Sequence, residues 1–248
     1  MHKLGKTPAR KGAVTFKFAD YADKTKLPTP PATFGHESLI AATGWGMLGN
    51  DQYGDCVWAG AAHETMLWNR MAGASSSFTP AAVLSDYSAV TGFNADDPST
   101  DQGTDMEVAA KYRRKTGVVD AAGKRHQIGA YVALKRGDIT ELFQAAYLFG
   151  AVGIGIEVPS SAVSQFDAGK PWSVVSLSRI EGGHYVPFVA RRKYLEVVTW
   201  GRIQSMTEGF YEHYNDESIA YLSAEMLAGG KSPEGFDLAA LKADLAAL

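Results

Sequence analysis

The chain's only cysteine, Cys56, stands where a turn runs into a helix. One thiol cannot form an internal disulfide, so the 248 residues must hold together by burying a core, and a 46% apolar content is enough for one. The segment Asn50-Asp51-Gln52-Tyr53-Gly54-Asp55 is rich in turn formers, and Cys56-Val57-Trp58-Ala59-Gly60-Ala61-Ala62 opens a helical stretch. Asp55 is a suitable N-cap, and a helix N-terminus favours a thiolate over a thiol. Two readings of Cys56 follow: a small buried apolar residue, or a nucleophile.

A nucleophilic cysteine needs a base, and six histidines are available: His2, His36, His63, His126, His184 and His213. His63 lies on the same helix, about 10 Å along at ~1.5 Å per residue, too far to bond Cys56. It reads as a polar residue on the helix or satisfied beneath it. His184 follows Gly182-Gly183 and heads the apolar run Tyr185-Val186-Pro187-Phe188-Val189-Ala190. That suits either a base presented to a cleft or a histidine at a strand end. After the turn Arg191-Arg192-Lys193, residues Tyr194 to Thr199 read as a second strand ending in Trp200-Gly201, so a β-hairpin is expected.

Taken in order, these segments resemble the papain-like cysteine peptidases, in the compact disulfide-free form found in bacteria and their phages. In that family a Gln precedes a Gly-x-Cys-Trp at the start of a long helix, a His begins a later strand, and an Asn-Ser-Trp-Gly closes the next. Here Gly54 and Cys56 take the glycine and nucleophile positions, Asn50 the oxyanion-hole position, His184 the base position, and Trp200-Gly201 the Trp-Gly. Between them, Leu84-Ser85-Asp86-Tyr87 matches a short helix. Asp101-Gln102-Gly103-Thr104-Asp105 matches the substrate loop, with a helix from Met106. Ile139 to Phe149 matches the next helix, Ala151 to Val158 a strand, and Phe166 to Trp172 the turn before the histidine strand. The resemblance covers roughly residues 45 to 225. It implies an α+β, two-lobe fold, with a helical lobe holding Cys56 and a β-barrel-like lobe holding His184. It also implies substrate contacts at Gly103, Thr104, Gly183, Tyr185 and Trp200.

The departures are specific. The position of the orienting Asn holds Val198, whose side chain can neither donate nor accept; Thr199 and Glu196 are the nearby polar candidates for a third residue. Asn50 is one methylene shorter than Gln. Asp55 replaces a small neutral residue, and its charge opposes a thiolate. Thr104 replaces a glycine, and Tyr185 a small residue.

Residues 1–35 read as an N-terminal arm and linker, 36–228 as the papain-like domain (helical lobe about 36–130, β-rich lobe about 131–228), and 229–248 as a C-terminal helical tail. The arm carries Lys3, Lys6, Arg10 and Lys11 and reads as solvated or as wrapping the body or a partner. It is too short for the long helical propeptide of the family's zymogens, so latency by that device is not expected. Val14 to Phe18 alternates like a short strand, and Leu27-Pro28-Thr29-Pro30-Pro31 forces an extended link. In the tail, Leu238, Leu241 and Leu245 recur at helical spacing from Pro233 on. A net charge of −3 argues against a nucleic-acid surface, and no apolar run has membrane-spanning length. No secretory signal, metal cluster or phosphate loop is seen, so no cofactor is expected. The expected location is a reducing cytoplasm or a virion assembled there. Three functions remain: a cysteine peptidase acting on a polypeptide, a peptidoglycan amidase or endopeptidase of the same fold, or a non-catalytic structural protein that keeps the fold and binds a protein partner.

Overall fold

The computed structural model describes residues 2–23, 25–224 and 236–246. A short turn of helix, α1 (Phe18–Tyr21), and a two-residue strand, β1 (Phe34–Gly35), precede the long helix α2 (Cys56–Met71). Small residues on one side of α2 let it lie close to the sheet: a Cβ at Gly60 would fall 2.4 Å from the Tyr185 ring. Trp58, Leu67 and Trp68 bury its other faces.

Two further helices complete the helical part, α3 (Pro80–Thr91) and α4 (Met106–Lys115). Thr79 caps α3 by accepting from the Ala82 amide, Pro80 sits at its first turn, and Gly92 ends it at φ 77°. Asp105 caps α4 by accepting from the amides of Glu107 and Val108, and Arg113, Arg114 and Lys115 fill the last turn. A small hairpin, β2 (Val118–Val119) with β3 (Arg125–His126), leads out of this part.

The second half is a seven-stranded sheet with a few helices against it. It comprises β4 (Ile128–Ala133), helix α5 (Ile139–Phe149), β5 (Val152–Pro159), helix α6 (Ser160–Asp167), β6 (Ile180–Arg191), β7 (Leu195–Thr199), β8 (Arg202–Met206), helix α7 (Glu208–Tyr214) and β9 (Asn215–Ser223). The order is β4-β9-β5-β6-β7-β8, with β1 added to β6, and every pairing is antiparallel. The sheet is open: β4 and β8 are its ends, so the expected barrel-like lobe is an unclosed one. The anticipated hairpin is present as β6 and β7, with Phe188 opposite Val197.

Two local expectations change. Val14 to Phe18 is not a strand; Lys17 makes a single bridge to Ala133 and α1 begins at Phe18. Tertiary burial of Phe18 and Tyr21 outweighs the alternation of the segment. At the other end, helix α8 (Leu238–Ala246) follows Phe236, which stacks on Phe18 at 5.6 Å and meets Phe149 edge-on at 5.1 Å. The tail therefore packs on its own chain. Residues Pro233 to Gly235, Ala247 and Leu248, included in the expected helix, lie outside the described residues.

A buried ionic cluster ties the two halves together. Arg113 of α4 donates to Glu64 of α2 at 2.7 Å, the Tyr185 hydroxyl of β6 donates to the other Glu64 oxygen at 2.7 Å, and the guanidinium lies 4.0 Å over the Tyr221 ring of β9. Burial raises the Glu64 pKa, opposed by the Arg113 charge.

Candidate functional site

The junction of the halves brings the first turn of α2 against the start of the β6–β7 hairpin. Cys56 and His184 line one cavity together with Asn50, Tyr185, Val198, Thr199 and Trp200. The cavity is about 10 Å³, roughly the space of one water molecule. Its imidazole is held on two sides. Thr199 Oγ1 lies 2.7 Å from His184 Nε2, and the Trp200 ring stacks on the imidazole at 4.7 Å between centroids. That leaves His184 Nδ1 buried and without a partner among the described residues. Trp200 reaches this place through a strained backbone, at φ 43°, followed by Gly201 at φ 78°.

The rest of the cleft is filled by the chain's own N-terminus. His2 stacks on Trp200 at 4.5 Å and bonds Asp167 at 2.7 Å, while the Trp200 indole donates to the Lys3 carbonyl at 3.2 Å. The Lys3 amide donates to the Asn50 carbonyl at 3.2 Å, and the Gly5 and Lys6 amides both donate to the Gly183 carbonyl at 3.1 Å. On the other side, the Thr104 amide donates to the Gly5 carbonyl at 2.7 Å and the Thr7 amide to the Thr104 carbonyl at 3.1 Å. Gly5 passes directly over the turn before Cys56: a Cβ there would lie 1.8 Å from the Gly54 carbonyl oxygen. Gly103, at φ 74°, and Gly183 leave room for the arm, since a Cβ on either would fall within 2.3 Å of its carbonyls.

No family model matches the sequence, and no curated protein matches it either. Solved structures do. Xylellain, a cysteine protease from Xylella fastidiosa, superimposes with a TM-score of 0.65 at 14% identity, covering 90% of this chain and 98% of that one. ProCathepsin B S9 from Trypanosoma congolense gives 0.62 at 11% identity, over 89% and 86%. Procathepsin L 3 from the Tenebrio molitor larval midgut gives 0.56 at 14% identity, over 82% and 72%. The fold is papain-like.

On this papain-like frame Cys56 and His184 fall together, and most of the other residues the resemblance pointed to lie near them. Gly103, Thr104, Gly183 and Trp200 all contact the arm. Asn50 faces the cavity, with its side-chain amide donating to the Tyr53 carbonyl at 3.0 Å. His63 is buried and satisfied, with Nε2 at 3.0 Å from the carbonyls of Trp45 and Gly46. Burial brings its pKa down to about 4.

Other expectations are corrected. Of the two candidates for a third residue, Thr199 reaches the imidazole, whereas Glu196 is bonded to Ser205 at 3.0 Å. Glu196 sits beside Ala190 and Ser205 in the ladder, several residues along the hairpin from His184. Tyr185 lines the cavity, but its side chain is committed elsewhere. Its ring is buried against Gly60 and Gly153, and its hydroxyl is committed to Glu64. Asp55 holds the N-cap position but makes no cap bond. Its carboxyl oxygens are buried, and desolvation pushes its pKa well above the carboxylate range, opposed by the Asn50 side chain. Gly49, at φ 109°, is needed beside it, because a Cβ there would meet Asp55 Oδ2 at 2.7 Å.

The thiolate expectation also reverses in this state. Burial pushes the Cys56 thiol up to about 12, against the pull of the Tyr185 and Gly5 backbone amides. Burial, aided by His2, brings the His184 imidazole down to about 3. Desolvation outweighs the helix dipole, and at neutral pH both groups are uncharged. Of the readings given for the arm, solvated or wrapping the body or a partner, it takes the second and wraps the body. The sequence signal for it was charge complementarity. Lys6 and Arg10 find Asp216, Glu217, Asp105 and Glu107, far along the chain.

Proposed function

We propose that the chain is a latent cysteine peptidase in which Cys56 is the nucleophile, His184 the base and Thr199 the residue that orients it. The reading rests chiefly on the hydrogen bond of Thr199 to His184 Nε2, which leaves Nδ1 free and buried in the cavity that Cys56 lines. The missing asparagine is thereby replaced one position further on, so the imidazole keeps an orienting partner on the nitrogen away from the thiol.

With the arm withdrawn, Nδ1 takes the Cys56 proton and the sulfur attacks the carbonyl carbon of a bound peptide. The oxyanion that forms is met by the Cys56 amide, in a helix first turn without an intrahelical partner, and by the side chain of Asn50, which lines the cavity. The imidazolium then gives its proton to the leaving amine as the C–N bond breaks, leaving a thioester. Water attacks that thioester, loses a proton to His184 and releases the acid and the thiol. The small site wall at Gly103 and Gly183 admits an extended backbone, which is what the arm supplies at rest.

Two measurements test this. An epoxide or vinyl-sulfone electrophile should form an adduct at Cys56, and His184→Ala should abolish it. Labelling that ignores His184→Ala would contradict the reading. Thr199→Val should lower turnover of a fluorogenic peptide about 10-fold with little change in KM, and Thr199→Ser should restore it. Equal turnover in all three proteins would mean that Thr199 orients nothing.

A further inference from the structure

Lys6 is the arm residue beside the one that covers Cys56, and its side chain is fully buried. Its ammonium lies 2.6 Å from Asp216 Oδ2, 2.9 Å from Glu217 Oε1 and 2.9 Å from the Thr7 carbonyl. A lysine loses much hydration and rotamer freedom on burial, so a site that takes it entirely must be shaped for it. The shaping is visible at Gly155 of β5: a Cβ there would lie 2.2 Å from Lys6 Cε and 2.7 Å from Asp216 Oδ1. Any other residue would close the pocket. Asp216 and Glu217 come from the start of β9, which pairs with β5 at this point, Gly155 lying opposite Glu217. The pocket wall is therefore rigid sheet rather than loop. The segment around Lys6 is itself held as an extended strand, bridging to Gly183 on one side and Thr104 on the other.

We infer that this pocket is a subsite for a lysine or arginine side chain of the substrate, next to the scissile bond, and that Lys6 occupies it at rest as a tethered stand-in. The inference rests on the peptidase reading for the word substrate, but not for the pocket's selectivity. An arginine suits it as well as a lysine. Asp216 Oδ1 is buried beside Lys6 and has no partner among the described residues, and a guanidinium carries five donors where an ammonium carries three. Further along the arm, Arg10 bonds Asp105 and Glu107 at 2.9 and 3.0 Å, so the acidic surface continues past the pocket. Peptides with more than one basic residue fit this edge by charge.

The test uses the full chain and reads the rate at which iodoacetamide alkylates Cys56, which needs no turnover. Lys6→Arg should stay as protected as the wild type. Lys6→Met should react about 10-fold faster or more, because a thioether leaves two buried carboxylates without a cation. On the Lys6→Met background, blocked tetrapeptides carrying Arg or Lys should then protect Cys56 at about 10-fold lower concentration than norleucine analogues. Asp216→Asn with Glu217→Gln, checked for intact folding by circular dichroism, should erase that difference. The inference is overturned if Lys6→Met is as protected as the wild type, if Lys6→Arg loses protection, if peptides protect without regard to charge, or if none protects. The two readings fail separately. Protection by basic peptides without any cleavage would sink the peptidase reading and keep the subsite. Cleavage with no basic preference would do the reverse.

Discussion

Gly5→Ala is expected to expel the arm and raise the alkylation rate of Cys56 by about 100-fold or more, since a cleft closed by even ~3 kcal/mol of arm contacts is open less than 1% of the time. A Cβ at this position would lie 1.8 Å from the Gly54 carbonyl oxygen and 2.4 Å from Gly54 Cα. Those are backbone atoms at the head of α2, and they cannot turn aside as a side chain would. The arm must lift, taking with it the Gly183 and Thr104 hydrogen bonds. Nothing in the body touches the added methyl once the arm has gone, so the thermal transition of the remaining domain should persist. Peptidase turnover should rise together with alkylation. An alkylation rate equal to that of the wild type would mean that the arm does not guard the thiol.

The second large effect is on stability. Glu64→Leu should lower stability by about 3–5 kcal/mol, because it leaves the Arg113 charge buried without a partner. At about 2–4 °C per kcal/mol for a chain of this size, the melting temperature should fall by roughly 10 °C. The double variant Glu64→Leu with Arg113→Met should recover most of that loss, since two apolar residues of similar volume remove the stranded charge. The cluster joins α2 and α4 to β6 and β9, so its loss weakens the joint that sets the cavity. Calorimetry on the three variants checks this. A single variant that melts within ~1 °C of the wild type would mean that the cluster carries no such charge, against the ~2–4 °C expected per kcal/mol.

Much of the frame was legible in the sequence because local chemistry and burial agree there. Helix α5 carries a capping aspartate and a closing glycine at its observed ends, and the β6–β7 hairpin is bounded by charged turn residues. Cys56 and His184 were readable from the turn-to-helix and glycine-to-strand junctions that present them. What was not legible depends on long-range contact. His184 Nε2 finds Thr199 rather than a side chain at position 198, which only the course of the strand into strained Trp200 decides. Tyr185, a substrate contact by the resemblance, gives its hydroxyl to Glu64, 121 residues earlier. The helix start at Cys56 promised a thiolate, but the arm is among the groups that dry the site. Arm docking itself could not be read from the basic residues alone, since their acidic partners lie up to 211 residues away (Lys6 and Glu217).

The Cys56–His184 pair is expected to be neutral while the arm covers it and reactive when it does not. The most direct test is the pH dependence of Cys56 alkylation in three proteins: the wild type, Gly5→Ala, and Gly5→Ala with His184→Ala. In the wild type the thiol sits at about 12, so reaction at neutral pH should be slow and should climb only in strong alkali. In Gly5→Ala, water returns to the cleft, the thiol and imidazole can charge together, and the apparent pKa should fall well below the ~8.5 of a free cysteine. Removing His184 from that background should bring it back to ~8.5 or above. Profiles that coincide for Gly5→Ala with and without His184, both at or above the free-thiol value, would contradict the account and leave Cys56 a packed cysteine in a papain-like fold.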